Sequence, residues 1–205
     1  MSPRRYDMTG KQAATAEFRQ RILDATLNLH GQKGIFGTSW KDIASAADVS
    51  VGTVYKHFPT LAELVPACGA LLMERLNPPQ PDQIGEILGN ARTPAERLLR
   101  VATEMFNFYH RGGPHLESDL RERELPAMRE WEDYLRSMVT DFIREALKDT
   151  NYDDALIQRI SFLLDLPTYN AMRIRGFTPI TAAETITELA CLWLGAQKTQ
   201  HRGKS

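Results

Sequence analysis

Apolar side chains recur three and four residues apart along most of this chain, and that spacing predicts helices almost throughout. Phe18, Ile22, Ala25, Thr26 and Leu29 mark one amphipathic helix over about residues 15–33. Gly34 and Gly37 end it, and Phe36 between them is expected to plug a core. Thr38 or Ser39 then caps a second helix, Ser39 and Asp42 having the spacing of a capping box, with Ile43 and Ala44 facing inward. Ala47-Asp48 reads as a turn. Ser50 is a good N-cap for a third, very short helix whose apolar side is Val49, Val54 and Phe58.

Leu61, Leu64, Val65, Cys68, Leu71, Leu72 and Leu76 outline a fourth helix, after which Pro78, Pro79 and Pro81 break the chain at a loop over residues 77–83. A short helix is expected over 83–90. A strong one starts at Pro94, runs to about His110 and stops at Gly112-Gly113-Pro114. Residues 115–124 and 126–148 read as two more helices, residues 153–175 as one, and Pro179 to about Lys198 as the last. The fold class is all-α, with about nine to ten helices. Residues 1–60 form a three-helix head with an N-terminal arm, and residues 61–205 form a larger helical body.

Net charge is −1 over the whole chain, but residues 1–60 carry +3 and the remainder −4. The basic share thus coincides with two short helices joined by a tight turn, the arrangement that presents a helix to the DNA major groove. Tyr55, Lys56 and His57 offer a hydroxyl, an ammonium and an imidazole on one exposed turn, suited to phosphate oxygens. Thr53 can bond a base edge or touch a thymine methyl, whereas Val51 offers only apolar contact. Lys41 is the best candidate for a guanine contact, and Arg4, Arg5 and Lys11 form a basic arm that can reach phosphates or a minor groove.

The head resembles the tetracycline-repressor (TetR) family of transcriptional regulators. The match runs from Arg21-Ile22-Leu23-Asp24-Ala25 through Gly34, Thr38-Ser39, Asp42-Ile43-Ala44 and Val49-Ser50 to Gly52-Thr53-Val54-Tyr55, His57-Phe58 and Glu63-Leu64. The resemblance implies that Tyr55 and His57 bond phosphates. It places Val51, Gly52 and Thr53 at the groove-facing start of the recognition helix, beside Ser50 and Lys56, and sets Trp40 and Lys41 against the DNA backbone. Asp48 stands where the family usually has glycine, and Leu61 where a phosphate-binding lysine is frequent. Asp tolerates left-handed geometry, so the turn is expected to survive.

Palindromic sites call for a dimer. Leu156, Ile160, Leu164 and Ala171 line one helical stripe, and Ala183, Ile186, Ala190 and Leu194 another; both are expected at a four-helix interface, with intrachain core as the alternative. Met105, Phe106 and Tyr109, then Trp131, Tyr134 and Met138, then Phe162 and Tyr169, give three helices an aromatic and methionine-rich interior suited to a small, fairly hydrophobic effector. Asp165 needs a partner there, such as Arg173, Arg175 or a ligand group, and Pro167 is expected to kink its helix. His110, His115 and Asp119 are residue types that bind metals, but the Gly-Gly-Pro break leaves their geometry open. The acids Glu117, Asp119, Glu122 and Glu124, alternating with Arg121 and Arg123, read as a solvated helix face.

No HExxH, phosphate-binding glycine loop or G-x-S-x-G elbow occurs, so neither an enzyme nor a cofactor or metal is expected. No apolar run reaches the roughly 20 residues that span a bilayer, and Met1–Gly10 lacks the apolar stretch of a signal peptide. Cys68 and Cys191 each sit among apolar residues, as reduced thiols do in a cytoplasmic protein. These features together predict a dimeric, ligand-responsive regulator, more a repressor than an activator, bound to a palindromic double-stranded DNA operator. The alternative is an all-α ligand-binding or scaffold protein whose helix-turn-helix has lost specific DNA binding.

Overall fold

The computed structural model describes the backbone of residues 8–150 and 152–202 and the side chains of residues 15–150 and 152–196. Every regular element among the described residues is helical: α1 (Met8–Lys33), α2 (Trp40–Ala46), α3 (Val51–His57), α4 (Leu61–Leu76), α5 (Ile84–Leu88), α6 (Pro94–Gly112), α7 (Pro126–Ala146), α8 (Asp154–Leu163), α9 (Leu166–Arg173) and α10 (Pro179–Arg202). The expected all-α class holds. The chain gathers into two compact units, one of residues 1–75 with 114–129 and the other of residues 76–113 with 130–205. The first unit thus holds the helices from α1 to nearly the end of α4, together with a segment from the middle of the chain.

In the first unit Ile22, Leu23, Ala25 and Leu27 of α1, Ile43 and Ala44 of α2, Val54 of α3, and Leu64, Val65, Cys68, Leu71 and Leu72 of α4 are buried. α1 packs on α2, and α2 on α3. Arg75 of α4 pairs with Asp24 of α1. Beyond α1 the core plug is Ile35, which is buried, and not Phe36, whose ring stays 40% exposed beneath the Arg121 guanidinium, 4.8 Å from the ring centroid.

Residues 115–124 do not form the expected helix. The chain makes one 3-10 turn at Gly113–Leu116 and another at Glu122–Glu124, leaving Leu120 exposed. Glu122, read from the sequence as part of a solvated face, is 4% exposed. One of its carboxylate oxygens accepts the Ile35 N–H at 2.5 Å, and the other accepts the Asp119 N–H at 3.1 Å. Gly34, at φ +74°, makes the room: a Cβ there would stand 2.6 Å from the same Glu122 oxygen. His115 fills a matching gap beside Gly31, where a Cβ would lie 2.4 Å from the imidazole Cε1. Two glycine-sized hollows near the end of α1 thus receive two side chains from about 90 residues downstream.

In the second unit α6 begins as its sequence dictates, with Pro94 in the first turn and Thr93 and Glu96 forming a reciprocal capping box. α10 lies along α6 and also meets α8 and α9. The single helix expected over 153–175 is two helices. Leu164 leaves helical geometry, Asp165 occupies the N-cap position of α9 and Pro167 sits in its first turn. A proline there has no intrahelical bond to lose, so it opens a new helix instead of kinking an old one.

Candidate nucleic-acid interface

The reading surface is built by local chemistry. Ser39 caps α2: its hydroxyl accepts the Asp42 N–H at 3.1 Å, while the Asp42 carboxylate accepts the Ser39 N–H at 3.1 Å. These bonds from Ser39 favour the charged form and hold the Asp42 carboxyl below its ordinary range. α2 ends at Ala47, and Asp48 takes φ 52°, the left-handed conformation that the turn requires. Arg21 of α1 clamps this turn, donating to the carbonyls of Ala47 at 2.6 Å and Asp48 at 3.0 Å. Its pairing with the Asp48 carboxylate is longer, at 3.4 Å, and lies on the surface. No spacing rule reveals this role of Arg21, because its two shorter bonds go to backbone carbonyls.

Ser50 caps α3, accepting the Thr53 N–H at 3.0 Å and sharing a 2.8 Å hydrogen bond with the Thr53 hydroxyl. The inner side of α3 is Val54, and Phe58 follows it; both are buried, with Arg19 over the Phe58 ring at 5.1 Å. The outer side is bare. Ser50, Val51, Gly52, Tyr55 and Lys56 are exposed, and Thr53 and His57 are half-buried beside them. Lys41 is exposed on α2, and Trp40 is half-buried with its ring 5.0 Å from that of Tyr55. The structure thus brings all nine expected head residues onto or beside α2 and α3. Of the basic arm, Arg4 and Arg5 lie outside the described residues, as does the side chain of Lys11.

The residues expected around an effector divide. Met105, Phe106, Tyr109, Met138 and Tyr169 are fully buried, with the Phe106 and Tyr169 rings stacked at 5.0 Å and the Tyr109 ring tilted against that of Tyr169 at 6.0 Å. Tyr134 and Phe162 point outward, Phe162 being 66% exposed, and half-buried Trp131 stacks on Tyr134 at 5.6 Å. Asp165 is half-buried. Burial raises its carboxyl above the usual carboxylate range, opposed by the charge of Arg136 on α7, and neither Arg173 nor Arg175 has that part. Tyr109 is pushed up by burial and, to a smaller extent, by the Asp165 charge, and a hydrogen bond of 3.0 Å joins His110 Nδ1 to the Tyr169 hydroxyl. An open groove of about 820 Å³ on this unit, between α5 and α6, is lined by Glu86, Arg92, Glu96 and Arg100, too charged for an apolar effector.

Seven of the eight residues expected at a dimer interface (Leu156, Ile160, Leu164, Ala183, Ile186, Ala190 and Leu194) are buried in the chain's own core, and Ala171 alone is exposed. Elsewhere on α8 and α10, and in the connection between α9 and α10, large apolar side chains are uncovered: Phe162, Ile174, Phe177, Ile180, Leu189 and Leu192 are all exposed, Ile174 by 77% and Leu192 by 69%. His110 belongs to one compact unit, and His115 and Asp119 to the other. Among the described residues no three His, Cys, Asp or Glu side chains gather as metal ligands. No helix among them is long and apolar enough to cross a membrane.

Residues 22–68 match the family model for bacterial regulatory proteins of the tetR family. A transcriptional repressor, KstR of Rhodococcus jostii, is 34% identical over 97 residues, 45% of this chain and 41% of the repressor. The chain thus spans about two fifths of the length of that relative. A TetR-like regulator from Rhodococcus superposes over 87% of this chain and 96% of its own, with a TM-score of 0.62 at 17% identity. The FadR regulator of Bacillus subtilis, solved in complex with stearoyl-CoA, covers 83% of this chain and 96% of its own, with a TM-score of 0.58 at 17% identity. These likenesses carry the fold, and the sequence match carries the head: the TetR resemblance read from the residues holds.

Proposed function

We propose that this chain, with its TetR-family head, is a dimeric, ligand-responsive transcriptional regulator that binds a palindromic operator in the cytoplasm and acts as a repressor. The observation that carries the reading is the outer face of α3. A helix this short is held by one buried side, Val54 with Phe58 behind it, and a serine cap. Its other side leaves a glycine, a phenol and an ammonium exposed, outside the core of the head. Phosphates suit the Tyr55 hydroxyl, the Lys56 ammonium and His57, while Lys41 and Thr53 can reach base edges. Thr53 already shares a hydrogen bond with Ser50, so it reads a base as an acceptor or after giving up that bond.

Exposed apolar side chains on α8, on α10 and between α9 and α10 support the dimer, with an interface around Phe162, Ile174, Leu189 and Leu192. Two heads of such a dimer reach successive major grooves when about 34–36 Å separates their recognition helices. The aromatic interior around Phe106, Tyr109 and Tyr169, with Asp165 and Arg136 as its polar edge, supports a small and mostly apolar effector. An effector that prefers a different head spacing by about 1–3 kcal/mol changes operator occupancy about 5–150-fold.

A mobility-shift assay on DNA from upstream of the protein's own gene tests the reading. A specific complex, weakened by salt and by replacement of Tyr55 or Lys56 with alanine, is the expected result. Failure to form any specific complex would favour the ligand-binding or scaffold alternative.

A further inference from the structure

Trp40 is expected, by resemblance, among the side chains that meet DNA, yet its geometry gives it another task. It is the first residue of α2, on the other side of the turn from α3, and its ring lies 5.0 Å from the Tyr55 ring at an interplanar angle of 34°. Its backbone is fixed by the reciprocal bonds between Ser39 and Asp42 immediately before it. Tyr55 stands on the outer face of α3, 46% exposed, and its neighbour Val54 is the residue that faces the core. A surface tyrosine with solvent on all sides samples several rotamers. One whose ring lies against an indole held by a capping box samples fewer. Among the described residues the Tyr55 hydroxyl has no hydrogen-bond partner, so the contact fixes a ring whose donor remains free.

We infer that Trp40 is a positioning residue: it holds the Tyr55 ring so that the phenol hydroxyl is preset for a backbone phosphate, and it makes no sequence-reading contact of its own. This rests on the DNA-binding reading of the head. The gain is entropic, since an interface side chain that is already ordered loses less freedom on binding. It is sequence-independent, because a phosphate contact carries no base information. The chain of support runs from Asp42 through Ser39 and Trp40 to Tyr55, and it links the start of α2 to the exposed face of α3.

The test uses the full chain as wild type, Trp40→Ala, Trp40→Phe, Tyr55→Phe and the double variant Trp40→Ala/Tyr55→Phe. Each is titrated by fluorescence anisotropy against a duplex from upstream of the gene and an unrelated duplex of equal length. Urea unfolding of each variant shows that it is folded under the binding conditions. Trp40→Ala is expected to weaken both duplexes alike, about two- to tenfold. Trp40→Phe, which keeps a ring against Tyr55, is expected to restore most of the loss. With the hydroxyl already removed by Tyr55→Phe, the further change Trp40→Ala is expected to cost less than about twofold.

Losses that simply multiply in the double variant would overturn the inference, and so would a Trp40→Ala protein that changes the preference between the two duplexes. A wild type that binds neither duplex in a salt-dependent manner would overturn the DNA-binding reading itself, and the inference with it. The two failures are therefore told apart by the wild-type titration.

Discussion

Gly52 offers the sharpest separation between what the fold needs and what the function needs. It is the second residue of α3 and is exposed. A Cβ built there meets only the Ser50 hydroxyl oxygen, at 3.7 Å, which is ordinary contact, and its φ is not in the left-handed region. The fold therefore gives no reason for glycine, and helix propensity argues against it: Gly52→Ala is expected to stabilise the head by about 0.5–1 kcal/mol. The proposed function supplies the missing reason, because a residue without a side chain at the groove-facing end lets the backbone approach the DNA closely. A methyl group there would push α3 outward and loosen several contacts, at about 1–3 kcal/mol, or roughly 5–150-fold in affinity. Urea unfolding and a DNA titration at fixed salt, on the same protein, read both quantities. Opposite signs are expected, with stability rising and affinity falling. Affinity within twofold of wild type would refute the reasoning, and a loss of stability would show that the fold needs the glycine after all.

Glu122→Ala leaves the Ile35 N–H without its acceptor in the core and is expected to cost about 1–3 kcal/mol in urea unfolding. Gly34→Ala is then expected to cost less in that variant than in wild type, because the oxygen its Cβ would strike is gone. His30 is held at about 4, mainly by burial and further by the His115 charge, so the unfolded chain takes up that proton more readily than the folded one. Its contribution is complete above pH 6.5 and is lost as pH falls toward 4, by at most about 3 kcal/mol, so urea midpoints from pH 7 to 4.5 should fall less in His30→Gln. Asp48→Gly suits φ 52° and is expected to keep or raise the melting temperature, whereas Asp48→Val is expected to lower it by the strain of a β-branched residue at positive φ. Leu192→Glu is expected to yield a folded monomer by sedimentation, while the same charge at buried Ile160 prevents folding.

The head was legible because its determinants are local. Ser39 and Asp42 form their capping box, Ser50 caps α3, and Asp48 takes the left-handed turn, all within a few residues of one another. The segment around Glu122 was illegible because its partner Ile35 lies 87 positions away and alternating acids and arginines look the same on a solvated face. The break before α9 has a local signal that reads two ways: Asp165 followed two residues later by Pro167 is a helix start as readily as a kink. Periodicity found the apolar stripes of α8 and α10, but it does not say what covers them. The buried stripe packs within the chain, and the proposed interface draws on apolar side chains that remain exposed, such as Phe162 and Leu192. Trp40 shows a related limit in the head, where the resemblance sets it against the DNA backbone and the structure also sets its ring 5.0 Å from that of Tyr55.

The central claim is that the face carrying Lys41, Thr53, Tyr55 and Lys56 binds a specific DNA sequence. The most direct measurement is the affinity of the full chain for its own upstream DNA and for unrelated DNA across a range of salt concentrations, with Lys56→Ala and Lys41→Ala alongside. The account predicts a preference for the upstream DNA and a linear fall of log affinity with log salt, the slope being reduced by about one in Lys56→Ala. Lys41→Ala should narrow the preference between the two DNAs. Equal affinity for both DNAs, or binding indifferent to salt and to these substitutions, would contradict it.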